Sequence, residues 1–244
     1  MRAFCPPDGW DPVPADLPEE ERRHLVQVQR LRPGDRFEIL DGAGRRTEAT
    51  ATAVDRRRLA FRCGPPRTEP GPTTVIDLLP ALIREQPMDG LVQKATELGV
   101  RAIRPFVAAR SVARADARGL AAKADRWRRV AVAAIKQCGN PWLPEIAPVP
   151  GLDGLAPAAR ACDLLLVCTL EGARRPLASL LADHPAARHV GILIGPEGDL
   201  DPDEVARAVA WGGRVTDLGP LVLRTDTAAL FAVSVVAHDR RSRP

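Results

Sequence analysis

Over the first 72 residues, apolar and polar positions alternate in short runs that predict β-strands. Residues 36–40 and 48–54 both alternate with a period of two, and a glycine-containing turn separates them, which is typical of a β-hairpin. Residues 59–63 are a further strand candidate, whereas residues 19–28 favour a short helix. Several short strands in so short a segment indicate a small β-barrel.

The pattern changes after residues 64–72, a stretch rich in proline and glycine that we interpret as a linker. Beyond it, apolar runs of strand length alternate with segments of helical periodicity. We therefore predict a small β domain over residues 1–72 and an α/β domain with a mostly parallel sheet over residues 73–244. The predicted strands of the second domain are residues 75–82, 102–107, 163–169, 189–194 and 214–218. Its predicted helices are residues 88–98, 119–137, 202–211 and 226–238.

Composition excludes several classes of protein. The longest nearly apolar run, residues 228–237, is far shorter than the roughly 18–20 residues that span a bilayer. The first 20 residues carry five acids and lack the apolar segment of a signal peptide. Five cysteines without a Cys-x-x-Cys pair predict reduced core thiols in a cytoplasmic protein, with no metal site and no disulfide.

The positive charge is concentrated in one part of the chain. The net charge is +4, yet residues 101–136 contain ten basic and two acidic residues, while residues 1–72 contain 13 basic and 12 acidic residues. A concentrated basic segment is typical of proteins that bind a phosphate backbone. The alternative interpretation is an ordinary solvated helix face.

Three segments at the carboxyl ends of predicted strands are candidates for a ligand site, because open α/β sheets bind ligands at that edge. The first is Gly-Pro-Glu-Gly at 195–198, followed by a helix start with a capping box at Asp201 and Glu204. Five acids between residues 197 and 204 would repel a phosphate and suit a cationic or neutral polar ligand better. A plain glycine turn with helix caps would explain the same residues.

The second segment, residues 218–227, contains an apolar Leu-Val-Leu run that could wall a pocket for a flat ring or be buried in the core. Arg224 lies directly after that run, where a charge needs a partner. The third segment, residues 167–172, is a strand end and loop that could form another wall.

Together these segments resemble the SPOUT methyltransferases and, more narrowly, the small-subunit ribosomal RNA methyltransferase E family. The motifs that carry the resemblance are GPEG at 195–198 and LGPLVLRTDTAAL at 218–230. Further matches in the expected order are QKATELGV at 93–100, RSV at 110–112, KQC at 136–138 and, in the first domain, the segments around His24 and Arg30. The match covers nearly the whole chain.

The resemblance implies a PUA-like, RNA-binding β-barrel followed by a SPOUT α/β domain with a trefoil knot. It also implies a homodimer that uses S-adenosylmethionine to methylate N3 of a uridine in 16S ribosomal RNA of the 30S subunit. The expected cofactor-binding residues are Thr169, Leu170, Gly195, Pro196, Glu197, Gly198, Leu218, Gly219, Val222, Leu223 and Thr227. The expected RNA-binding residues are His24, Arg30, Lys94, Arg110 and Gln137, with a contact to the ligand pocket as the alternative for Arg110 and Gln137.

Arg224 is the candidate catalytic residue, because a guanidinium would stabilise the anion that forms when uridine N3 loses its proton. The alternative is a structural ion pair with Glu197 or Asp226. Glu197 is the second catalytic candidate, as a base or as a residue that orients Arg224, with a structural role as the alternative. Lys94 has its own alternative, an ion pair with Glu97 on the same helix.

The chain departs from the family pattern at four positions. The family usually has glycine at Asp199, arginine at Leu221 and Asn140, and glutamate at Asp226. The two missing arginines keep open a methyltransferase for another RNA position. A non-catalytic RNA-binding factor in ribosome assembly is a further alternative, whereas a nucleotide-dependent dehydrogenase is disfavoured because no phosphate-binding fingerprint is present.

Overall fold

A computed structural model describes residues 1–56 and 58–241 and divides the chain into two compact units. The N-terminal unit is formed by Met1–Gly71 together with Val132–Leu143, and the C-terminal unit contains the rest of the described chain. Nothing in the sequence pattern predicted that residues 132–143 belong with the first unit. The unit boundary therefore depends on tertiary contacts as well as on the proline-rich stretch.

The N-terminal unit contains a five-stranded sheet. Its strands are β1 (Arg2–Phe4), β2 (Arg36–Leu40), β3 (Arg45–Val54), β4 (Leu59–Cys63) and β5 (Arg67–Thr68). They pair in the order β1-β2-β3-β4, with β5 also on β3; β1 is parallel to β2 and the other pairs are antiparallel. The predicted hairpin is confirmed as β2 and β3. Strand β1 was not predicted, since three residues carry too little alternation to be recognised.

The interpretation of residues 64–72 as a linker was wrong for Arg67 and Thr68. These residues form β5 and pair with Arg46 and Arg45 of β3. A two-residue strand beside several prolines has no sequence signal of its own, because its backbone partners lie about 20 residues away. The predicted helix at residues 19–28 is present as α1 (Glu19–Arg23), which continues as a π-helical turn, His24–Val28.

The C-terminal unit is built on a seven-stranded sheet in which every pair is parallel. Its strands are β6 (Val75–Pro80), β7 (Ala102–Ile103), β8 (Glu145–Ile146), β9 (Leu164–Cys168), β10 (Arg175–Pro176), β11 (His189–Ile194) and β12 (Arg214–Asp217). They lie in the order β10-β12-β9-β11-β6-β7-β8. The α/β prediction with a parallel sheet is thus confirmed, and the central strands are the continuous apolar runs that burial on both faces requires.

The remaining helices are α2 (Glu85–Glu97), α3 (Ala117–Cys138), α4 (Ala156–Arg160), α5 (Leu177–Asp183), α6 (Pro202–Ala210) and α7 (Thr225–Arg241). The last turns of α3 belong to the N-terminal unit, where Lys136 Nζ lies 2.5 Å from the buried carboxylate of Glu21. No helix of the described residues is long and apolar enough to cross a bilayer.

Two further expectations differ from the structure. The predicted strand at 102–107 ends at Ile103, because Pro105 has no N–H for a ladder and only Phe106 rejoins as an isolated bridge. Cys138 is exposed near the end of α3, so the prediction of five core thiols was wrong for this residue. Cys5 and Cys168 are buried as predicted, whereas Cys63 and Cys162 are only half-buried.

Candidate functional site

The three predicted loops meet at one cavity in the C-terminal unit. They follow β9, β11 and β12, which are neighbours in the sheet, so their carboxyl ends reach the same edge. The loops line an open cavity whose space, counted together with the adjoining solvent, is about 590 Å³. We call this space the strand-end cavity.

The loop after β11 is shaped by one glycine. A Cβ on Gly195 would lie 2.8 Å from the backbone nitrogen of Leu200 and 3.1 Å from the carbonyl carbon of Asp199. Leu200 is fully buried and cannot move aside easily. The tight loop ends at α6, where Asp201 and Glu204 form the predicted capping box. The predicted capping box is therefore confirmed. Gly195, Pro196 and Glu197 of the same loop also line the strand-end cavity.

The same loop is joined to the loop after β9 by a carboxylate. Asp199 Oδ2 accepts hydrogen bonds from the Thr169 hydroxyl and from the Leu170 N–H, both at 2.8 Å. Its Oδ1 accepts one from the Leu200 N–H, also at 2.8 Å. The backbone of Asp199 lies in the left-handed region, with φ +61°. We call these four residues the carboxylate bridge.

The 108–114 segment also supports the loop after β11. Arg110 Nη1 donates to the carbonyl of Gly198 at 3.1 Å, and a Cβ on Gly198 would be 3.2 Å from that of Arg110. The buried carboxylate of Glu204 accepts from the Ala109 N–H at 2.9 Å. Arg110, predicted to contact RNA, is thus placed against the outside of the Gly195–Leu200 loop.

We expect Arg110→Ala to weaken S-adenosylmethionine binding by about three- to tenfold, because a charge-assisted but exposed hydrogen bond to the loop is lost. The affinity for RNA should change less. Isothermal titration with each ligand checks this. Arg114→Ala is the matched control, since among the described residues Arg114 donates to the carbonyls of Ala108 and Ala109 and not to the Gly195–Leu200 loop. Weaker RNA binding with unchanged cofactor binding would favour the original RNA-contact hypothesis.

The loop after β12 supplies the apolar wall. Gly219 turns the chain at φ +118°, and its N–H donates to Asp217 Oδ1 at 2.9 Å. Leu221 and Val222 are 74% and 76% exposed, and Leu223 is half-buried. These three residues line the strand-end cavity. The pocket-wall interpretation of the Leu-Val-Leu run is therefore supported over burial in the core.

Acidic groups predominate among the charged residues of the cavity. Three carboxylates line it, those of Glu197, Asp199 and Asp217, against one guanidinium, that of Arg174. Arg174 lies 4.0 Å from Asp217. A cavity with this balance attracts a cation and disfavours a phosphate, as the sequence indicated.

Cys168 closes the base of the cavity as an inert thiol. Burial, with a smaller contribution from the nearby Asp199 carboxylate, raises its pKa to about 12. Burial also raises the pKa of Cys5 to about 11 and that of Cys162 to about 12. At neutral pH these thiols are protonated and unreactive.

We expect a single fast-reacting thiol when the native protein meets a thiol reagent at pH 8. That thiol is Cys138, because it is exposed, whereas Cys5, Cys162 and Cys168 stay protonated well above this pH. Burial also raises the pKa of the half-buried Cys63 thiol, so this residue should react slowly. Cys138→Ser should remove the fast phase. Rapid labelling of Cys168, seen by peptide mass spectrometry, would contradict a closed cavity base.

Nine of the eleven predicted cofactor residues line the cavity: Thr169, Leu170, Gly195, Pro196, Glu197, Leu218, Gly219, Val222 and Leu223. Gly198 and Thr227 do not; Gly198 faces Arg110, and Thr227 lies on α7. Lining residues that sequence reasoning missed include Arg174, Asp217 and Thr225. Asp217 could have been found from its position at a strand end directly before the Leu218–Gly219 segment.

Arg224 lies beside the cavity and does not line it. Its side chain is exposed, and among the described residues it forms no ion pair with Glu197 or Asp226. Glu197 is exposed as well and lines the cavity. The structural ion pair considered for Arg224 is therefore not formed, and its guanidinium faces solvent next to the apolar wall.

The other predicted RNA contacts lie on several surfaces. His24 is half-buried with Nε2 at 3.2 Å from Gln29 Nε2, and Arg30 is exposed with φ +55°. Lys94 and Gln137 are exposed on helices. The ion pair considered for Lys94 is absent among the described residues, because Glu97 instead accepts from Gln93 at 3.1 Å.

Comparison with known proteins agrees with this architecture. Residues 69–237 match the family model described as RNA methyltransferase domain, and residues 17–62 match that described as RNA methyltransferase PUA domain. The ribosomal RNA small subunit methyltransferase E of Mycobacterium bovis is 30% identical, over 89% of this chain and 83% of its own. That of Bacillus subtilis is 27% identical, over 90% of this chain and 88% of its own.

Two solved structures with bound S-adenosylmethionine have the same fold. A putative methyltransferase from Legionella pneumophila has a TM-score of 0.86 at 26% identity, over 98% of this chain and 97% of its own. The ribosomal RNA small subunit methyltransferase E from Neisseria gonorrhoeae has a TM-score of 0.81 at 28% identity, over 96% of each chain. The resemblance seen in the sequence motifs is confirmed: the chain belongs to the ribosomal RNA small subunit methyltransferase E family of RNA methyltransferases.

Proposed function

We propose that this protein transfers a methyl group from S-adenosylmethionine to N3 of a specific uridine in 16S ribosomal RNA of the small ribosomal subunit. The observation that carries the proposal is the strand-end cavity, which joins an apolar wall to a carboxylate-rich rim at the edge where α/β sheets bind ligands. The relatives of the chain are named for methylation of the same RNA.

The residues of the cavity fit S-adenosylmethionine. The cofactor combines a flat adenine ring with a cationic sulfonium, and the cavity offers apolar side chains at Leu170, Val222 and Leu223 together with three carboxylates. Gly195 lets the loop after β11 fold tightly on its own backbone, because a Cβ there would lie 2.8 Å from the Leu200 nitrogen, and the loop so formed lines the cavity. We therefore propose that the predicted cofactor residues bind it, with Arg174, Asp217 and Thr225 as additional contacts.

When bound, S-adenosylmethionine supplies a methyl group on a positively charged sulfur that is open to in-line displacement. The chain's task is to position a uridine and to stabilise its anion, since N3 must lose an imide proton first. The exposed Arg224 guanidinium, beside the apolar wall, would stabilise the charge that spreads onto the flanking carbonyl oxygens. Glu197, at the rim, is the candidate to accept the proton or to orient Arg224.

RNA recognition is proposed for both parts of the chain. Residues 1–72 would act as the RNA-binding domain, with His24 and Arg30 as contacts, and residues 73–244 as the methyltransferase domain. Lys94 and Gln137 remain proposed RNA contacts. Arg110 is proposed to support the Gly195–Leu200 loop first, because its guanidinium donates to the Gly198 carbonyl, and to contact RNA only in addition. The basic residues of α3 would add the salt-dependent attraction to phosphates that concentrated charge produces.

We also propose a homodimer, a trefoil knot and a cytoplasmic location. Phe231 on α7 is 43% exposed in the single chain, and a second copy would cover it. The resemblance of the motifs to SPOUT methyltransferases supports the knot, and the proposed ribosomal substrate supports the location. Sedimentation at graded concentrations tests the dimer.

The experiment that tests the function is transfer of labelled methyl from S-adenosylmethionine to 30S subunits that lack the modification. The modified nucleoside is then identified by mass spectrometry. N3-methyluridine at one position is the expected product. Failure of both methyl transfer and cofactor binding would replace the proposal with a non-catalytic assembly factor.

A second candidate, methylation at a different RNA position, is favoured by one observation. Leu221 is 74% exposed on the cavity wall, and Asn140 spends its side-chain oxygen on the Trp142 N–H at 3.0 Å. Both positions usually carry arginine in the family, so two potential contacts to RNA or to the cofactor are absent here. A methylated base other than uridine N3 in the same assay would establish this alternative.

A further inference from the structure

Asp199 occupies a backbone conformation that normally selects glycine. Among the described residues only Arg30 and Asp199 have a positive φ without being glycine. At φ +61° a side chain costs conformational energy, although aspartate tolerates this region better than most residues. A residue that persists there needs a compensating interaction.

The compensating interaction is the carboxylate bridge. Both oxygens of Asp199 are used, and the three donors come from two loops: Thr169 and Leu170 follow β9, and Leu200 follows the turn after β11. The Thr169 hydroxyl in turn accepts from the Glu171 N–H at 3.1 Å. One side chain thus connects two walls of the strand-end cavity, which glycine at this position could not do.

We propose that Asp199 is a positioning residue that keeps the loop after β9 in the arrangement that binds the cofactor. The inference rests on the proposed function, because the ligand whose binding it favours is S-adenosylmethionine. The physical reason is preorganisation: the loop after β9 is already ordered by two charge-assisted hydrogen bonds to Asp199, so it loses less conformational entropy when the ligand binds.

If Asp199 only stabilised its own turn, the opposite effect of Asp199→Gly would be expected. Glycine at position 199 would relieve the left-handed strain without a steric clash, so Asp199→Gly would be neutral or stabilising if the carboxylate had no further task. A positioning role predicts weaker cofactor binding in the same variant. Asp199→Gly therefore distinguishes the two roles. A local role predicts a neutral or stabilising effect, whereas a positioning role predicts weaker cofactor binding.

The experiment compares Asp199→Gly, Asp199→Asn, Thr169→Val and the double variant Asp199→Gly/Thr169→Val. We expect Asp199→Gly to raise the KM for S-adenosylmethionine roughly tenfold, with kcat and the KM for RNA within about twofold of wild type. Asp199→Asn should be intermediate, because one amide nitrogen donates where an oxygen accepted. In the double variant, loss of Thr169 should add little to loss of Asp199.

Control measurements distinguish loss of the carboxylate bridge from a general change in charge and from a loss of folding. Glu171→Gln removes a negative charge from the same loop and leaves the bridge intact, so its KM for the cofactor should not rise. Hydrogen exchange of the ligand-free protein should show faster exchange of the Leu170 and Leu200 amides in Asp199→Gly. The melting temperature of Asp199→Gly should stay close to that of wild type.

Several results would overturn the inference. Wild-type KM for the cofactor in Asp199→Gly, or additive effects in the double variant, would do so while the proposed function stood. A KM increase that Glu171→Gln reproduces would assign the effect to charge instead. Wild-type protein that neither binds nor uses S-adenosylmethionine would overturn the proposed function and this inference together.

Discussion

Arg224→Ala is expected to reduce kcat by about 100-fold or more while cofactor affinity remains near wild type. The magnitude is that of removing one fixed donor from a developing anion. Cofactor binding should persist because Arg224 lies outside the lining of the strand-end cavity. The measurement is single-turnover methyl transfer to 30S subunits, combined with isothermal titration of S-adenosylmethionine.

The pH dependence should also change in this variant. If the guanidinium lowers the pKa of the uridine imide in the complex, its removal raises that pKa, so the residual rate should increase more steeply towards high pH. Arg160→Ala, an exposed arginine at the end of α4, is the matched control and should retain full activity. Equal losses in kcat and in cofactor affinity would indicate a structural role for Arg224.

Gly195→Ala is expected to weaken S-adenosylmethionine binding by roughly thirtyfold, equivalent to about 2 kcal/mol of overpacking. The added Cβ would lie 2.8 Å from the backbone nitrogen of Leu200 and 3.1 Å from Asp199 Oδ1. Both neighbours belong to the carboxylate bridge, so the loops must shift to accept the methyl group. Titration of the cofactor and circular dichroism of the variant measure the two consequences.

Gly90→Ala is the control for this substitution. A Cβ on Gly90 would meet no other part of the described chain within 4 Å, and the residue lies inside α2, where alanine favours the helix. That variant should bind the cofactor normally and melt slightly higher. Normal cofactor binding by Gly195→Ala would show that the loop can open at little cost.

The elements of the fold were predictable where burial imposes a simple pattern. Strands β9 and β11 are continuous apolar runs, and the capping box at Asp201 and Glu204 uses only neighbours in sequence. The two-residue strands β5 and β10 could not be predicted, because their pairing partners lie far away along the chain. The pattern of apolar and polar residues within a short segment carries no information on its backbone hydrogen bonds to a distant segment.

The candidate site shows the same division. The sequence alone identified the candidates for a ligand site: the strand-end loops, their glycines and the apolar run at Leu221 to Leu223. Arg110 was predicted as an RNA or pocket contact, and only the structure shows that its guanidinium donates to the carbonyl of Gly198. The role of an exposed arginine depends on which carbonyls or carboxylates come within reach, and that depends on packing.

The sequence by itself determined the α/β architecture, the family and the position of the cavity loops, because periodicity, glycines and motif order are local properties of the chain. Only the tertiary structure decided that Asp199, which departs from the family pattern, joins two of those loops. It also decided that Arg224 is left without an ion pair among the described residues. Such outcomes depend on distances between residues remote in sequence, which three-dimensional packing alone sets.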